Sequence, residues 1–176
     1  MTTRSVLSRR HGLLVATPLL AALSTACDRP AAAPGAADSA VVADSLVRLV
    51  RGAYDFSRPD VARRLTSLYP DSGRVVSAAG GRVTTTRAAL DRQVARFWEN
   101  VGRNMQGPTF VIDTVHADVL SRDAAVLTML YSIPHRTPSN QPHTIGGAWT
   151  ALFVRRDGRW TIVQEHLSDA PSRVGQ

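Results

Sequence analysis

Apolar residues recur every three or four positions in the first half of the chain, which predicts three helices. The first begins at Ser39, a residue type that caps helices well. The second begins at Ser57 and stops at Tyr69-Pro70, because a residue before proline disfavours the helical conformation. The third covers residues 87–101, and its stripe is typical of a core-facing helix. The three apolar stripes are Val42, Leu46, Leu49, Val50 and Ala53; Val61, Leu65 and Leu68; and Leu90, Val94, Phe97, Trp98 and Val101.

After Gly107-Pro108 the chain becomes rich in β-branched residues, which predicts strands. The Asp157-Gly158 pair is a hairpin signal between the last two of them. Helices followed by an antiparallel meander indicate an α+β domain, with the helices packed on one face of the sheet. Parallel βαβ architecture is disfavoured, because no helix separates the last four strands. The predicted strands cover residues 74–78, 109–120, 124–133, 147–155 and 160–167.

Residues 1–26 have the organisation of a secretory signal peptide. Arg4, Arg9 and Arg10 precede an apolar run over residues 12–23, with no acidic residue before it. The run is shorter than the roughly 20 residues that cross a membrane, and Pro18 interrupts it. We therefore predict export to the cell envelope.

Cys27 follows the small residues Ser24-Thr25-Ala26, which resembles a bacterial lipobox. The resemblance implies that Cys27 becomes the first mature residue and carries a lipid anchor on the periplasmic side. An ordinary cleavage site beside a stray cysteine is the alternative, but a free thiol would be a liability in an oxidising compartment. Residues 27–38 are rich in proline, alanine and glycine and predict a flexible tether. The folded domain then covers residues 39–170, and residues 171–176 form a tail.

The charge and cysteine content exclude several classes of function. All 21 basic residues are arginine, against 14 acidic residues, and removal of the three in the signal peptide lowers the net charge from +7 to 18 − 14 = +4. These charges are scattered rather than clustered on one face, so we expect no nucleic-acid partner. A single cysteine excludes an internal disulfide framework, a thiolate zinc site and a CxxC redox pair.

The C-terminal segment carries a family resemblance. Trp149, the turn Asp157-Gly158-Arg159-Trp160 and the ending His166-Leu167-Ser168 resemble the nuclear transport factor 2-like superfamily. Within it the chain is similar to SnoaL-like and ketosteroid-isomerase-like proteins. The resemblance implies a curved antiparallel sheet around a cone-shaped cavity closed by the helices, and frequent dimerisation through the outer sheet face. Members include isomerases, cyclases, hydrolases, dehydratases and non-catalytic binding modules.

Strict alternation along the last strand puts Trp160, Ile162, Gln164 and His166 on one face. Apolar groups with a few polar ones are typical of a ligand pocket. The alternative is that the tryptophans belong to the core and that His166 is satisfied by a hydrogen bond to Ser168 or to a neighbouring strand. The predicted ligand-binding residues are Tyr131, Trp149, Gln164 and His166.

Asp113 and His166 are the candidates for catalysis. Asp113 alternates with Val111 and Val115, and an aspartate on an apolar face is costly to bury unless it is paired or protonated. As a general base it would need an oxyanion donor, for which Tyr131 is the nearest choice. The alternative is a bulge that turns Asp113 outward. His116 lies on the face opposite Asp113.

No metal or other cofactor is expected from the sequence. His135 and His143 flank a proline-rich segment that we interpret as a mobile loop with solvated histidines, and no HxH or HExxH spacing occurs. Glu99, one of two glutamates, is expected to face solvent or to pair with Arg103 one helical turn later.

The sequence therefore predicts an exported, lipid-anchored domain that binds a small apolar or amphipathic ligand and forms a homodimer. One alternative is an isomerase or cyclase that uses general acid–base chemistry in the same cavity. The other is a non-catalytic interaction module whose cavity is filled by its own side chains.

Overall fold

The structure, a computed structural model, describes residues 35–170 of the chain. The predicted signal peptide, Cys27, most of the tether and the C-terminal tail lie outside these residues. The helices are α1 (Ala36–Ala53), α2 (Val61–Thr66) and α3 (Arg87–Asn100), and a short 3₁₀ turn covers Gly102–Asn104. The strands are β1 (Arg74–Ala79), β2 (Arg82–Thr86), β3 (Val111–Ser121), β4 (Ala124–Arg136), β5 (Pro142–Arg156) and β6 (Arg159–Asp169).

The six strands form one sheet in the order β2-β1-β6-β5-β4-β3. The predicted α+β class is confirmed, and the last four strands form the antiparallel meander. Two features differ from the prediction. β1 pairs with β6 in parallel, since the long segment between them lets β1 reach the free edge of β6. β2 was not expected; Gly80 and Gly81, both with positive φ, make the tight turn that folds β2 back on β1.

The helix ends show how capping sets the boundaries. The side chain of Thr86 accepts a hydrogen bond of 3.3 Å from the backbone N–H of Ala89, so α3 begins where the sequence predicts. α1 begins earlier than predicted, at Ala36, and α2 begins at Val61 behind Asp60 rather than at Ser57. Glu99 and Arg103 form the expected ion pair, at 2.5 Å.

One hydrophobic core joins the helices to the inner face of the sheet. Leu46 and Val50 of α1 are fully buried, and so are Phe153 of β5 and Ile162 of β6. The buried apolar stripes of α1 and α3 contain fewer residues than predicted, because Leu49 and Val101 are exposed. Burial of this apolar surface is the main favourable term for folding. No helix within residues 35–170 is long and apolar enough to cross a membrane.

The β4–β5 hairpin is longer than predicted. Both strands continue through the proline-rich segment, so that His135 lies opposite His143 and Arg136 lies opposite Pro142. A proline fits here because Pro142 is the first residue of its strand. The connecting loop is therefore only residues 137–141.

Candidate functional site

A β-bulge in β6 decides which of its side chains face the core. Leu152 lies opposite Gln164 and Phe153 lies opposite Ile162, so Val163 is an extra residue without a partner on β5. An extra residue reverses the alternation beyond it. The prediction that Ile162, Gln164 and His166 share one face is therefore wrong: Gln164 and His166 are exposed.

Glu165 takes the inward position instead, and its side chain is 5% exposed. The hydroxyl groups of Tyr69 and Ser77 each donate a hydrogen bond of 2.7 Å to its Oε1. Nε1 of Trp149 donates a bond of 2.9 Å to its Oε2. Within residues 35–170 Glu165 forms no ion pair, so the three bonds come from neutral donors.

Burial and hydrogen bonding act on this carboxyl group in opposite directions. Burial raises the pKa of Glu165 above its ordinary value, because a charged carboxylate is poorly solvated in the interior. The three donors lower the pKa, but burial is the larger effect. The group is thus shifted towards the protonated form, as is typical of carboxyl groups that exchange protons with a substrate.

All three tyrosines of the chain surround this group. Burial and the negative charge of Glu165 raise the pKa of Tyr54 and of Tyr69. The pKa of Tyr131 is raised by burial, then by the charges of Asp169 and Glu165. The three phenols therefore remain protonated at neutral pH and can act as hydrogen-bond donors.

An aromatic cluster leads from this interior to the surface. The ring of Tyr54 stacks on Phe110 with centroids 4.4 Å apart and planes at 18°. Tyr54 also lies 6.2 Å from Trp149, and Phe110 lies 5.9 Å from Tyr131. These separations are within the range of favourable aromatic pairs.

Tyr54 and Phe110 form part of the wall of an open cleft of about 310 Å³. Glu165 does not line this cleft, but Trp149, which donates to Glu165, lies 6.2 Å from Tyr54 of the cleft wall. The cleft is lined by Arg51, Tyr54, Asp55, Phe56, Ser57, Pro108, Thr109 and Phe110.

Asp113 is at a second bulge. Ile112 lies opposite Tyr131 and Thr114 lies opposite Leu130, so Asp113 has no partner on β4 and is exposed. The prediction that Asp113 shares the face of Val111 and Val115 is wrong, and the alternative, a bulge that turns Asp113 outward, is confirmed. Asp113 and the exposed His166 are therefore both outside the buried polar cluster.

Two of the four predicted ligand-binding residues, Trp149 and Tyr131, belong to the core or pack against it. Trp149 is 2% exposed and holds Glu165, while Tyr131 is half-buried beside Phe110. Sequence reasoning did not single out Glu165, Tyr69, Ser77 or Tyr54. The one available signal was that Glu165 is one of only two glutamates.

The comparisons with known proteins agree with the fold. Residues 53–172 match the family model of the SnoaL-like domain. The chain belongs to the SnoaL-like domain family. No curated protein matches this SnoaL-like chain.

Solved structures share its fold at low sequence identity. A putative scytalone dehydratase from Novosphingobium aromaticivorans has a TM-score of 0.63 and 16% identity, over 76% of this chain and 87% of that one. A putative calcium/calmodulin dependent protein kinase II association domain from Xanthomonas campestris has a TM-score of 0.54 and 19% identity, over 79% and 90%. An NTF-2 like protein from Shewanella oneidensis has a TM-score of 0.54 and 20% identity, over 72% and 98%.

Proposed function

We propose that this SnoaL-like domain binds a small amphipathic molecule in the cleft beside Tyr54 and Phe110. The observation that carries the proposal is the stacked pair itself, which forms an aromatic wall of an open cleft next to a buried polar group. Clefts with aromatic walls and a few polar groups are the usual form of small-molecule sites. The volume, about 310 Å³, lies at the lower end of the range for such sites.

The charges at the cleft favour an amphipathic ligand over a purely apolar one. Phe56 and Phe110 supply apolar surface, whereas Arg51 and Asp55 supply one charge of each sign. Hydrogen bonds from Ser57 hold Asp55, and its pKa is lowered chiefly by the bond from the Ser57 hydroxyl. We infer that Arg51 faces the polar end of the ligand, with the apolar end against Tyr54.

A fluorescent amphipathic anion, anilinonaphthalene sulfonate, tests this proposal by direct titration. We expect saturable binding at one site, weakened at least tenfold by Phe110→Ala because the ligand loses its stacking surface. Leu120→Ala is the matched control, since Leu120 is an exposed apolar residue that does not line the cleft. Equal binding by wild type and Phe110→Ala would place the ligand elsewhere.

Catalysis at Glu165 is a second candidate function. The observation in its favour is a buried carboxyl group with a raised pKa, surrounded by protonated tyrosines, which is the composition of an acid–base site. Ligand binding is favoured over it because Glu165 does not line the cleft and three donors occupy its oxygens. Turnover of a ligand by wild type, abolished by Glu165→Gln without loss of binding, would establish the enzyme.

We also propose that the domain is exported and lipid-anchored through Cys27. The arginine-rich start, the apolar run and the small residues before Cys27 support this. Mass spectrometry of the mature N-terminus tests it. Acylated Cys27 is the expected result, and Cys27→Ser should release the protein from the membrane fraction. An unmodified mature N-terminus at another residue would contradict it.

Homodimerisation is proposed for the outer face of the sheet. Leu130 on β4 is 51% exposed, and its neighbour across the ladder on β5 is Ala148. Further along, Thr128 and Thr150 join the two strands on this face with a bond of 3.1 Å between their hydroxyls. These four side chains carry no charge, and an uncharged patch of this kind suits a symmetric interface between two copies.

A further inference from the structure

Two histidines meet at the end of the β4–β5 hairpin, away from the buried carboxyl group. His135 and His143 are directly opposite each other in the antiparallel ladder. Their ring centroids are 5.0 Å apart. Nδ1 of His143 lies 3.2 Å from Nε2 of His135. Because the two residues lie on paired strands, the backbone holds their Cβ atoms close together on one face of the sheet.

The backbone also sets the tautomer of His135. Its Nδ1 lies 2.8 Å from the carbonyl oxygen of Ile133, and a carbonyl can only accept. Nδ1 therefore carries the proton, and Nε2 presents a lone pair towards His143. A histidine whose second nitrogen donates to a backbone carbonyl is oriented in the way that metal-ligating histidines usually are.

The nitrogen–nitrogen distance fits a shared metal ion. Two imidazole nitrogens bound to tetrahedral Zn²⁺, each at about 2.0–2.1 Å, are about 3.3 Å apart. A square-planar ion would bring two adjacent nitrogens to about 2.9 Å. The observed 3.2 Å is closer to the tetrahedral value.

Solvent reaches the pair, because the His143 side chain is exposed. An open pocket of about 460 Å³ adjoins His135, and Thr109 and Pro134 line it. Arg136 also borders this pocket, but its guanidinium group donates to the carbonyl oxygen of Asn140. Within residues 35–170 no group of three or more histidine, cysteine or acidic side chains converges, so solvent or a bound ligand would complete the coordination.

We propose that His135 and His143 form a two-histidine site for a divalent transition metal, with Zn²⁺ as the ion that its geometry fits. The ion replaces the proton that the two nitrogens share. It joins β4 to β5 beside the loop and leaves its other two coordination positions to solvent or a bound ligand. This inference does not rest on ligand binding at the aromatic cleft.

Calorimetric titration of the full chain with Zn²⁺ tests the proposal. We expect His143→Ala to weaken one micromolar site at least tenfold. His143 is exposed, so this variant should keep the fold. His135→Ala should have the same effect on the same site. The matched control is His116→Ala, another exposed strand histidine, which should leave the affinity unchanged.

The melting temperature provides a second readout, because an ion that binds the folded sheet stabilises it by mass action. Excess Zn²⁺ should raise the Tm of wild type and of His116→Ala by several degrees, and should not raise that of His143→Ala. If zinc were bound by residues outside the sheet, it would raise the Tm of wild type and of His143→Ala by the same amount. Equal affinity and an equal Tm shift in wild type and His143→Ala would overturn the proposal.

Discussion

Nε1 of Trp149 donates a hydrogen bond of 2.9 Å to Oε2 of Glu165, and the bond joins the inner faces of β5 and β6. The tryptophan thereby satisfies its single donor in the core, where an unpaired N–H would be costly. Trp149 is the hydrogen-bond donor to Oε2 of Glu165, whereas Tyr69 and Ser77 both donate to Oε1. A residue that looks like ordinary core in the sequence thus holds the one buried acidic side chain of residues 35–170.

Glu165→Gln should destabilise the fold by about 1–3 kcal/mol, because the amide oxygen can replace Oε1 but the amide N–H group then faces the N–H of Trp149. Trp149→Phe removes that donor, so the two changes should not be additive. We expect the double variant to be more stable than the sum of the single effects by about 0.5–3 kcal/mol. Urea unfolding of the four proteins measures this coupling. A coupling of zero would mean that the bond does not hold the two side chains.

The raised pKa of Glu165 makes stability depend on pH in a defined direction. The folded state holds this proton to a higher pH than the unfolded chain, whose carboxyl group titrates near 4.5. The contribution of Glu165 is therefore fully present below that value and is lost as pH rises through the folded pKa. The free energy of unfolding of wild type, relative to Glu165→Gln, should fall over this window.

Glu99→Gln is the control for this pH dependence, since Glu99 is the other glutamate and is exposed beside Arg103. The fall should persist when Glu99→Gln is compared with the Glu99→Gln/Glu165→Gln double variant, because it belongs to Glu165 alone. A wild-type stability that rises with pH relative to Glu165→Gln would show that the donors outweigh burial.

Gly147 should not tolerate a side chain. A Cβ at this position would lie inside van der Waals contact of the carbonyl oxygen of Ser168 on β6, which is backbone and cannot swing away. We expect Gly147→Ala to cost about 3 kcal/mol or more. Gly52 in α1 is the control, because a Cβ there meets nothing within 4 Å. Gly52→Ala should instead stabilise by about 0.5–1 kcal/mol. Thermal unfolding measures the stability of both variants. Equal stability changes would mean that the backbone of β6 does not approach Gly147 as closely as described.

Leu130→Arg should separate the proposed homodimer, since it puts two charges of the same sign at the centre of a symmetric interface. Light scattering after size-exclusion chromatography measures the mass of both proteins. We expect a dimer for wild type and a monomer for the variant. Asp113→Asn is the control, because it changes the charge of an exposed residue of β3, and it should remain a dimer. A monomeric wild type would reject the interface.

Most of the fold could be predicted from periodicity, because local patterns determine which segments form helices and strands. Thr86 marks the start of α3, and Asp157-Gly158 marks the last hairpin. The pairing of β1 with β6 could not be predicted, since it depends on contacts between residues about 90 positions apart, such as Ser77 and Glu165.

The candidate site was harder to predict because one residue decides it. Val163 forms a bulge, and no glycine or proline signals it in the sequence. The extra residue turns Gln164 and His166 outward and turns Glu165 inward. Asp113 is turned outward by the same kind of irregularity on β3. Strict alternation predicts the face of each side chain only as far as the first bulge in a strand. The position of a bulge depends on how the whole sheet curves.

Native mass spectrometry of the protein purified from its own host tests ligand binding most directly. A discrete small-molecule mass should accompany the wild-type chain, disappear on mild denaturation, and be absent from Phe110→Ala, which lacks half of the aromatic stack. Leu120→Ala should retain it. A wild-type chain without any bound mass, or a mass retained equally by Phe110→Ala, would contradict the account of the cleft as a small-molecule site.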